Sequence, residues 1–387
     1  MASQNVLDVE KLLAPIAGEK PTGVDLRADG NPNSDYYKLK DARFAARAKE
    51  RELESDPATA ASMPELLPEW RTILDGAPKI LAEQSKDLEV AAWLLEALAR
   101  RNGFAGLRDG FRLARSLIEK FWDGLYPLPD EDGIAAKVAP LTALNGEGAD
   151  GTLIQPLRRI PLTEGRDPGP FATWHYEQAR TVATVTDEKA KAWHAKVGTA
   201  TMDQIESSRR ATRPKFFIEL VEDGKQCQQE FAALTAAVDK AAGADSPPTS
   251  TIRNALEAVL TVAMELGKDA LAAQQAAATA GGDAAPAAAA SGNGAEPAKG
   301  PAAPGLMLGP IRTREDAFAA MLRIGEFFRH TEPHSPLSYS IEELVRRGRM
   351  SLPDLLSELI KDAAQRKTFF TVAGMKPPED EKGQKEK

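Results

Sequence analysis

The stretch 85–128, SKDLEVAAWLLEALARRNGFAGLRDGFRLARSLIEKFWDGLYPL, constrains the fold more than any other part of the chain. Leu88, Ala91, Leu95 and Leu98 recur at the spacing that builds one apolar face of a helix. Arg100 and Arg101 stand where cations favour a helix C-terminus, and Gly103 follows as a left-handed cap. A second helix over 106–125 carries Leu107, Phe111, Ala114, Ile118, Phe121 and Leu125 on one side, and Pro127 and Pro129 stop it. The segment predicts a two-helix hairpin. It holds no nucleophile, base or metal-ligand set, so it reads as a packing module.

Helical periodicity recurs outside this segment, whereas alternating β-branched runs are sparse. The spacing predicts a first, helical domain over 1–165. It has a short helix near 6–13, an extended Pro/Gly-rich stretch over 15–33, and a helix over 34–54. A loop over 55–67 precedes helices near 69–83, 87–101 and 106–125. Its tail, 140–165, mixes Gly, Pro and apolar residues, and Leu153-Ile154 with Ile160-Pro161-Leu162 suggest a small hairpin. A middle helical domain over 166–278 draws its core from Trp174, Val182, Ile205, Phe216, Phe217, Leu220 and Phe231. After Pro247-Pro248, Ile252, Leu256, Val259, Ala263 and Leu266 share one helix face.

Residues 279–309 are almost entirely Ala, Pro, Gly and small polar residues. That composition buries no core and reads as a flexible linker with an end-to-end distance of roughly 30 Å. A small helical module over 310–376 follows, and then a charged tail over 377–387. T-x-x-D at Thr313 and Asp316, Ser340 with Glu343, and Ser351 with Asp354 each resemble a helix-start box. The three helices align Phe318, Met321, Leu322, Gly325 and Phe328; then Ile341, Leu344 and Val345; then Leu352, Leu355, Leu356, Leu359 and Ile360. So much Leu and Phe in about 65 residues points to apolar surface buried between subunits. Phe318, Leu322, Phe328, Pro333, Pro336, Leu344, Leu352, Leu355 and Leu359 are the candidate oligomer or partner interface. The fold class is all-α and multi-domain.

Composition narrows the function. The 387 residues carry a net charge of −8, against a nucleic-acid role, which usually brings a basic excess. The single cysteine, Cys227, excludes an internal disulfide framework and fits a reducing compartment. The N-terminus MASQNVLDVEKLL has no basic region followed by an apolar core, and no apolar run reaches 18 residues without charges, so neither a signal peptide nor a membrane span is expected.

No residue set makes a persuasive active site. Gly146 to Gly151 fits G-x-G-x-x-G but lacks the strand before it and the helix after it that a dinucleotide site needs. His330 and His334 are four apart, yet Pro333 sits between them, Glu332 is off the catalytic offset, and a third ligand is missing. A rigid turn between helices accounts for them. His175 and His194 lie beside tryptophans as partly buried helix residues. Cys227 sits in a polar helical stretch, GKQCQQEF, with no activating cluster. Asp130-Glu131-Asp132 lacks the spaced ligands of a calcium loop. The basic clusters Arg209-Arg210-Arg213-Lys215 and Arg346-Arg347-Arg349 lack interleaved aromatics. Metal, cofactor, nucleic acid and small-molecule substrate are therefore all expected to be absent.

Three quoted stretches carry a resemblance: LLAPIAGEKPTGVDLR at 12–27 with Tyr37 and Asp41-Ala42-Arg43; SKDLEVAAWL with the FWDGLYP ending at 121–127; and TEPHSPLSYSIEELVRRGRMSLPDLLSELI at 331–360. In this order the chain resembles the TssA/ImpA family of type VI secretion systems. The resemblance implies a non-enzymatic structural component in the cytoplasm, associated with a secretion apparatus docked at the inner membrane. It implies binding to baseplate, membrane-complex, tube and sheath proteins, priming of tail tube and sheath assembly, and ring-shaped homo-oligomers built by the C-terminal region. The competing readings are a metal-dependent hydrolase using His330 and His334, and a cytoplasmic effector adaptor.

Overall fold

A computed structural model describes residues 2–56, 59, 65–131, 133–280, 314–331 and 337–350, with 355, 358 and 362. The fold is all-α, and β pairing among the described residues is confined to isolated bridges. The chain forms two compact units, Met1–Ala287 and Ala288–Lys387.

In the first unit the helices are α1 (Val9–Leu12), α2 (Asp35–Ser55), α3 (Pro68–Glu83), α4 (Leu88–Phe121), α5 (Ile134–Asn145), α6 (Ile154–Arg158), α7 (Thr173–Thr184), α8 (Glu188–Lys196), α9 (Met202–Ala211), α10 (Pro214–Ala242), α11 (Ser250–Leu266) and α12 (Lys268–Ala280). The hairpin is α4. Its helical geometry breaks at Gly103, with φ 54° and ψ −131°, a conformation costly for any residue with a side chain. The arms then return against each other. A Cβ on Gly106 would lie 2.5 Å from the Leu98 carbonyl oxygen, and one on Gly110 would lie 3.0 Å from Leu95. Small residues thus set how closely the arms approach. The open end is tied where the Leu88 amide donates to the Tyr126 carbonyl at 2.7 Å.

The hairpin is buried on more than the faces read from its spacing. Leu88, Ala91, Leu95 and Leu98 are inside as expected, and so are Val90, Trp93, Leu94 and Ala97. The reason is that α1, α3, α5, α6 and α10 pack against it, and α2 brings the Tyr36 ring to 5.3 Å from that of Trp93. From α3 come Trp70, Ile73, Ala77, Ile80 and Leu81, all fully buried. From α10 comes Phe231, whose ring centroid lies 5.0 Å from that of Phe111. The boundary expected at 165/166 falls inside this unit, and residues on both sides of it share one core. Of the middle-domain core residues, Ile205, Phe217, Leu220 and Phe231 are buried, while Trp174, Val182 and Phe216 are half-buried.

Two local expectations are corrected. Residues 153–154 do not pair with 160–162: Ile154 opens α6, and the Leu162 amide donates instead to the Phe171 carbonyl at 2.7 Å. Helix α5, with Pro140 inside it, occupies what reads as an irregular stretch. Burial of Val138, Leu141 and Leu144 outweighs the helix-breaking tendency of proline. The face after Pro247-Pro248 is as read, with Ile252, Leu256, Val259, Ala263 and Leu266 all buried.

In the second unit α13 (Arg314–Thr331) packs against α14 (Leu337–Arg349). Ser340 is not a helix start, because α14 already begins at Leu337, so its Ser-Glu pair lies within the helix. Thr313, Ser351 and Asp354 lie outside the described residues, as do the linker from 281 onward and the charged tail.

Candidate functional site

The three motif stretches of the N-terminal region meet at the open end of the hairpin. The Lys86 amide donates to the Thr22 carbonyl at 2.8 Å, and the Val24 amide to the Gln84 carbonyl at 3.1 Å. The Tyr126 amide donates to the Lys86 carbonyl at 3.0 Å. Gly23 makes this crossing possible: its φ is +73°, and a Cβ there would lie 2.1 Å from the Gln84 oxygen. PTGVDLR, SKDLEV and FWDGLYP are therefore one junction of three chain segments.

Charged side chains lock this junction from inside. Asp87 is fully buried and caps α4, accepting from the Glu89 amide at 2.8 Å and the Val90 amide at 3.1 Å. Arg27 donates to Asp87 at 2.7 Å and to Glu89 at 2.6 Å. The Tyr36 hydroxyl also donates to Glu89, at 2.8 Å. Burial works against the charge on Arg27, but the hydrogen bond to Asp87 and the charges of Asp87 and Glu89 hold its pKa above the ordinary value. Lys86, also fully buried, donates to the carbonyls of Leu12 at 2.7 Å and Leu81 at 2.6 Å, joining the ends of α1 and α3. Burial lowers its pKa to about 8.

Two further anchors lie along the hairpin. Glu96, fully buried, accepts from Arg43 at 2.7 Å and from the Thr152 hydroxyl. Arg108 is 1% exposed and donates to Asp109 at 2.8 Å and Asp223 at 2.9 Å. It also donates to the Ser3 carbonyl at 3.1 Å, and Asp109 accepts from the Val6 amide at 2.6 Å. The N-terminal segment over 3–7 is thereby strapped across α4 and α10. Removing one partner of such a buried pair costs about 3–5 kcal/mol, because the other charge is left inside unpaired. Nearby, the Arg100 guanidinium lies 3.9 Å from the centroid of the Trp70 ring, and Glu50 bonds both of them.

The residues weighed for catalysis fall into structural places. Gly146 follows a helix, not a strand. The His175 Nδ1 accepts from the Ala172 amide at 3.1 Å at the start of α7. His194 lies against Trp193, and its Nδ1 is 3.3 Å from the Thr199 hydroxyl. The Cys227 thiol is fully buried, and desolvation raises its pKa well above the usual range. His330 lies in the last turn of α13, and His334 lies outside the described residues. Among the described residues no group of three His, Cys, Asp or Glu side chains could hold a metal ion.

The nominated interface residues divide. Phe318 is packed inside the α13–α14 pair, with Arg314 and Arg349 over its ring at 5.3 and 5.5 Å. Leu322, Phe328 and Leu355 are half-buried, and Leu344 is 57% exposed. Pro333, Pro336, Leu352 and Leu359 lie outside the described residues.

The fold and these anchors define a helical scaffold, in which the deeply buried charges hold chain segments together. Residues 13–146 match the family described as ImpA, N-terminal, type VI secretion system. Over 383 residues the chain is 28% identical to the type VI secretion system component TssA1 of Pseudomonas aeruginosa, covering 97% of this chain and all of that protein. It also resembles the solved N-terminal domain, including the conserved ImpA_N region, of the TssA component from Burkholderia cenocepacia. That match has a TM-score of 0.56 and 28% identity, over 68% of this chain and 94% of the other. Residues 13–146 thus carry the ImpA N-terminal region, and along its length the chain is similar to TssA components of type VI secretion systems.

Proposed function

We propose that the protein is a non-enzymatic structural component of a type VI secretion system, binding baseplate and membrane-complex subunits and priming assembly of the tail tube and sheath. The observation that carries this reading is the end-to-end match to TssA1. The junction supports it: the motif residues Lys86, Asp87, Gly23 and Tyr126 act in packing. The C-terminal region over 310–376 builds a ring of copies, tethered by the linker over 279–309. Among the described residues no helix is long and apolar enough to cross a membrane. In this reading attachment to the apparatus runs through partner proteins.

Deletion and complementation test the reading. Loss of the protein should abolish secretion of the tube protein, and the full-length chain should retain baseplate and sheath subunits in a pull-down. Retention of toxins alone would favour an effector adaptor. Stoichiometric zinc in the purified protein, lost on His330→Ala with His334→Ala, would favour the hydrolase.

A further inference from the structure

Helix α2 buries Tyr36, Leu39 and Ala46 on one flank. On an outward flank Tyr37, Lys40, Phe44, Arg47 and Arg51 recur at alternating intervals of three and four residues. That is the spacing of a seam that meets another helix. Phe44 is 71% exposed, an uncommon state for a phenylalanine at mid-helix. The Lys40 ammonium lies 5.9 Å from the centroid of the Tyr37 ring.

Lys40, Arg47 and Arg51 make no ion pair among the described residues. Their neighbours are occupied: Arg43 holds Glu96 and Arg100 holds Glu50. Arg47 is half-buried. Burial lowers its pKa, Glu96 opposes that, and the charges of Arg43, Arg100 and Arg51 add to the lowering. A carboxylate delivered beside Arg47 would relieve this like-charge crowding.

We propose that this stripe docks an acidic amphipathic helix of another protein, laying an apolar side chain on Phe44 and carboxylates on Arg47 and Arg51. The proposal rests on the reading of the protein as an assembly component and names a surface that would serve it. The three-four spacing argues for a helix, and charge complementarity argues for an acidic one. A second copy docked α2 on α2 would set cation against cation, since a two-fold interface uses the same patch twice. A nucleic acid would meet a chain of net charge −8.

The test places a photoreactive benzoylphenylalanine at position 44 of the full-length chain, irradiates secreting cells and maps the adduct by mass spectrometry. The expected adduct is a helical segment of another protein in which Asp or Glu flank an apolar residue. Arg47→Glu with Arg51→Glu should cut its yield about tenfold or more, equivalent to about 1.4 kcal/mol of binding, with an unchanged melting midpoint. If that double variant melts early, Arg51→Glu alone, at an exposed side chain that leaves position 44 free for the probe, carries the same test. An adduct with a second copy, with the chain's own residues or with nucleic acid overturns the proposal, as does no adduct in cells whose secretion is intact. If gene deletion leaves secretion unchanged, the assembly reading itself fails. If deletion abolishes secretion while the double variant keeps both adduct and secretion, only the seam fails.

Discussion

Lys86 has no solvent to bond, so two backbone carbonyls and its own desolvation decide its charge state. Its pKa falls from the ordinary value near 10.4 to about 8. Between those values the unfolded chain holds a proton that the folded chain lacks, so this group makes stability rise with pH across that window. The gain is at most about 3 kcal/mol. Below pH 8 both states are protonated and the contribution is flat. Urea midpoints measured from pH 7 to 10.5 for the wild type and Lys86→Met should diverge over that range, the wild type gaining on the variant. Parallel curves would show that Lys86 keeps its proton throughout. Such anchors are poorly legible in sequence, because their partners are remote: Arg108 and Asp223 are separated by 115 residues. Asp87 was open to reading, as an N-cap type ahead of an apolar run. Arg108-Asp109 between Leu107 and Phe111 also carried a signal, being a charged pair inside an apolar helix.

At the scale of elements, α4 was legible because its two arms have strong helical periods and Gly103 punctuates them. Closeness of the arms depends on glycines whose role no spacing reveals. Gly106→Ala should therefore be costly despite the better helix propensity of alanine, because its Cβ would sit 2.5 Å from the Leu98 oxygen. The arms must part, at a cost of about 1–3 kcal/mol. Gly30→Ala meets nothing within 4 Å and serves as the control. Chemical denaturation of the two variants checks this, and equal midpoints would mean that the hairpin yields without penalty. Helix α5 is not legible in the sequence because proline and glycine dominate the local signal there, whereas tertiary burial decides the outcome. The start of α14 also differs from the reading of its sequence. Ser340 and Glu343 satisfy the capping pattern, but Leu337 already begins the helix.

At the scale of the whole molecule, the apolar surface of the second unit bears on assembly. Within it, Phe318 and Val345 fill the space between α13 and α14. Leu344 stands one residue from Val345 on the same helix and is 57% exposed, and Tyr339 is 64% exposed. A residue that faces outward can be changed without disturbing the pair beneath it. Leu344→Asp should thus leave the melting of the full-length chain within about 0.5 kcal/mol of the wild type, the usual range for surface substitutions. If copies of this unit bury Leu344 against one another, the same change puts a carboxylate into an apolar contact. That carboxylate must then stay charged without solvent or take up a proton, and either costs several kcal/mol at every interface of a ring. Light scattering should then show loss of the high-mass species with folding intact. High-mass species that persist in Leu344→Asp would place the contact on another face, with Leu355 on the half-buried side as the next position to change.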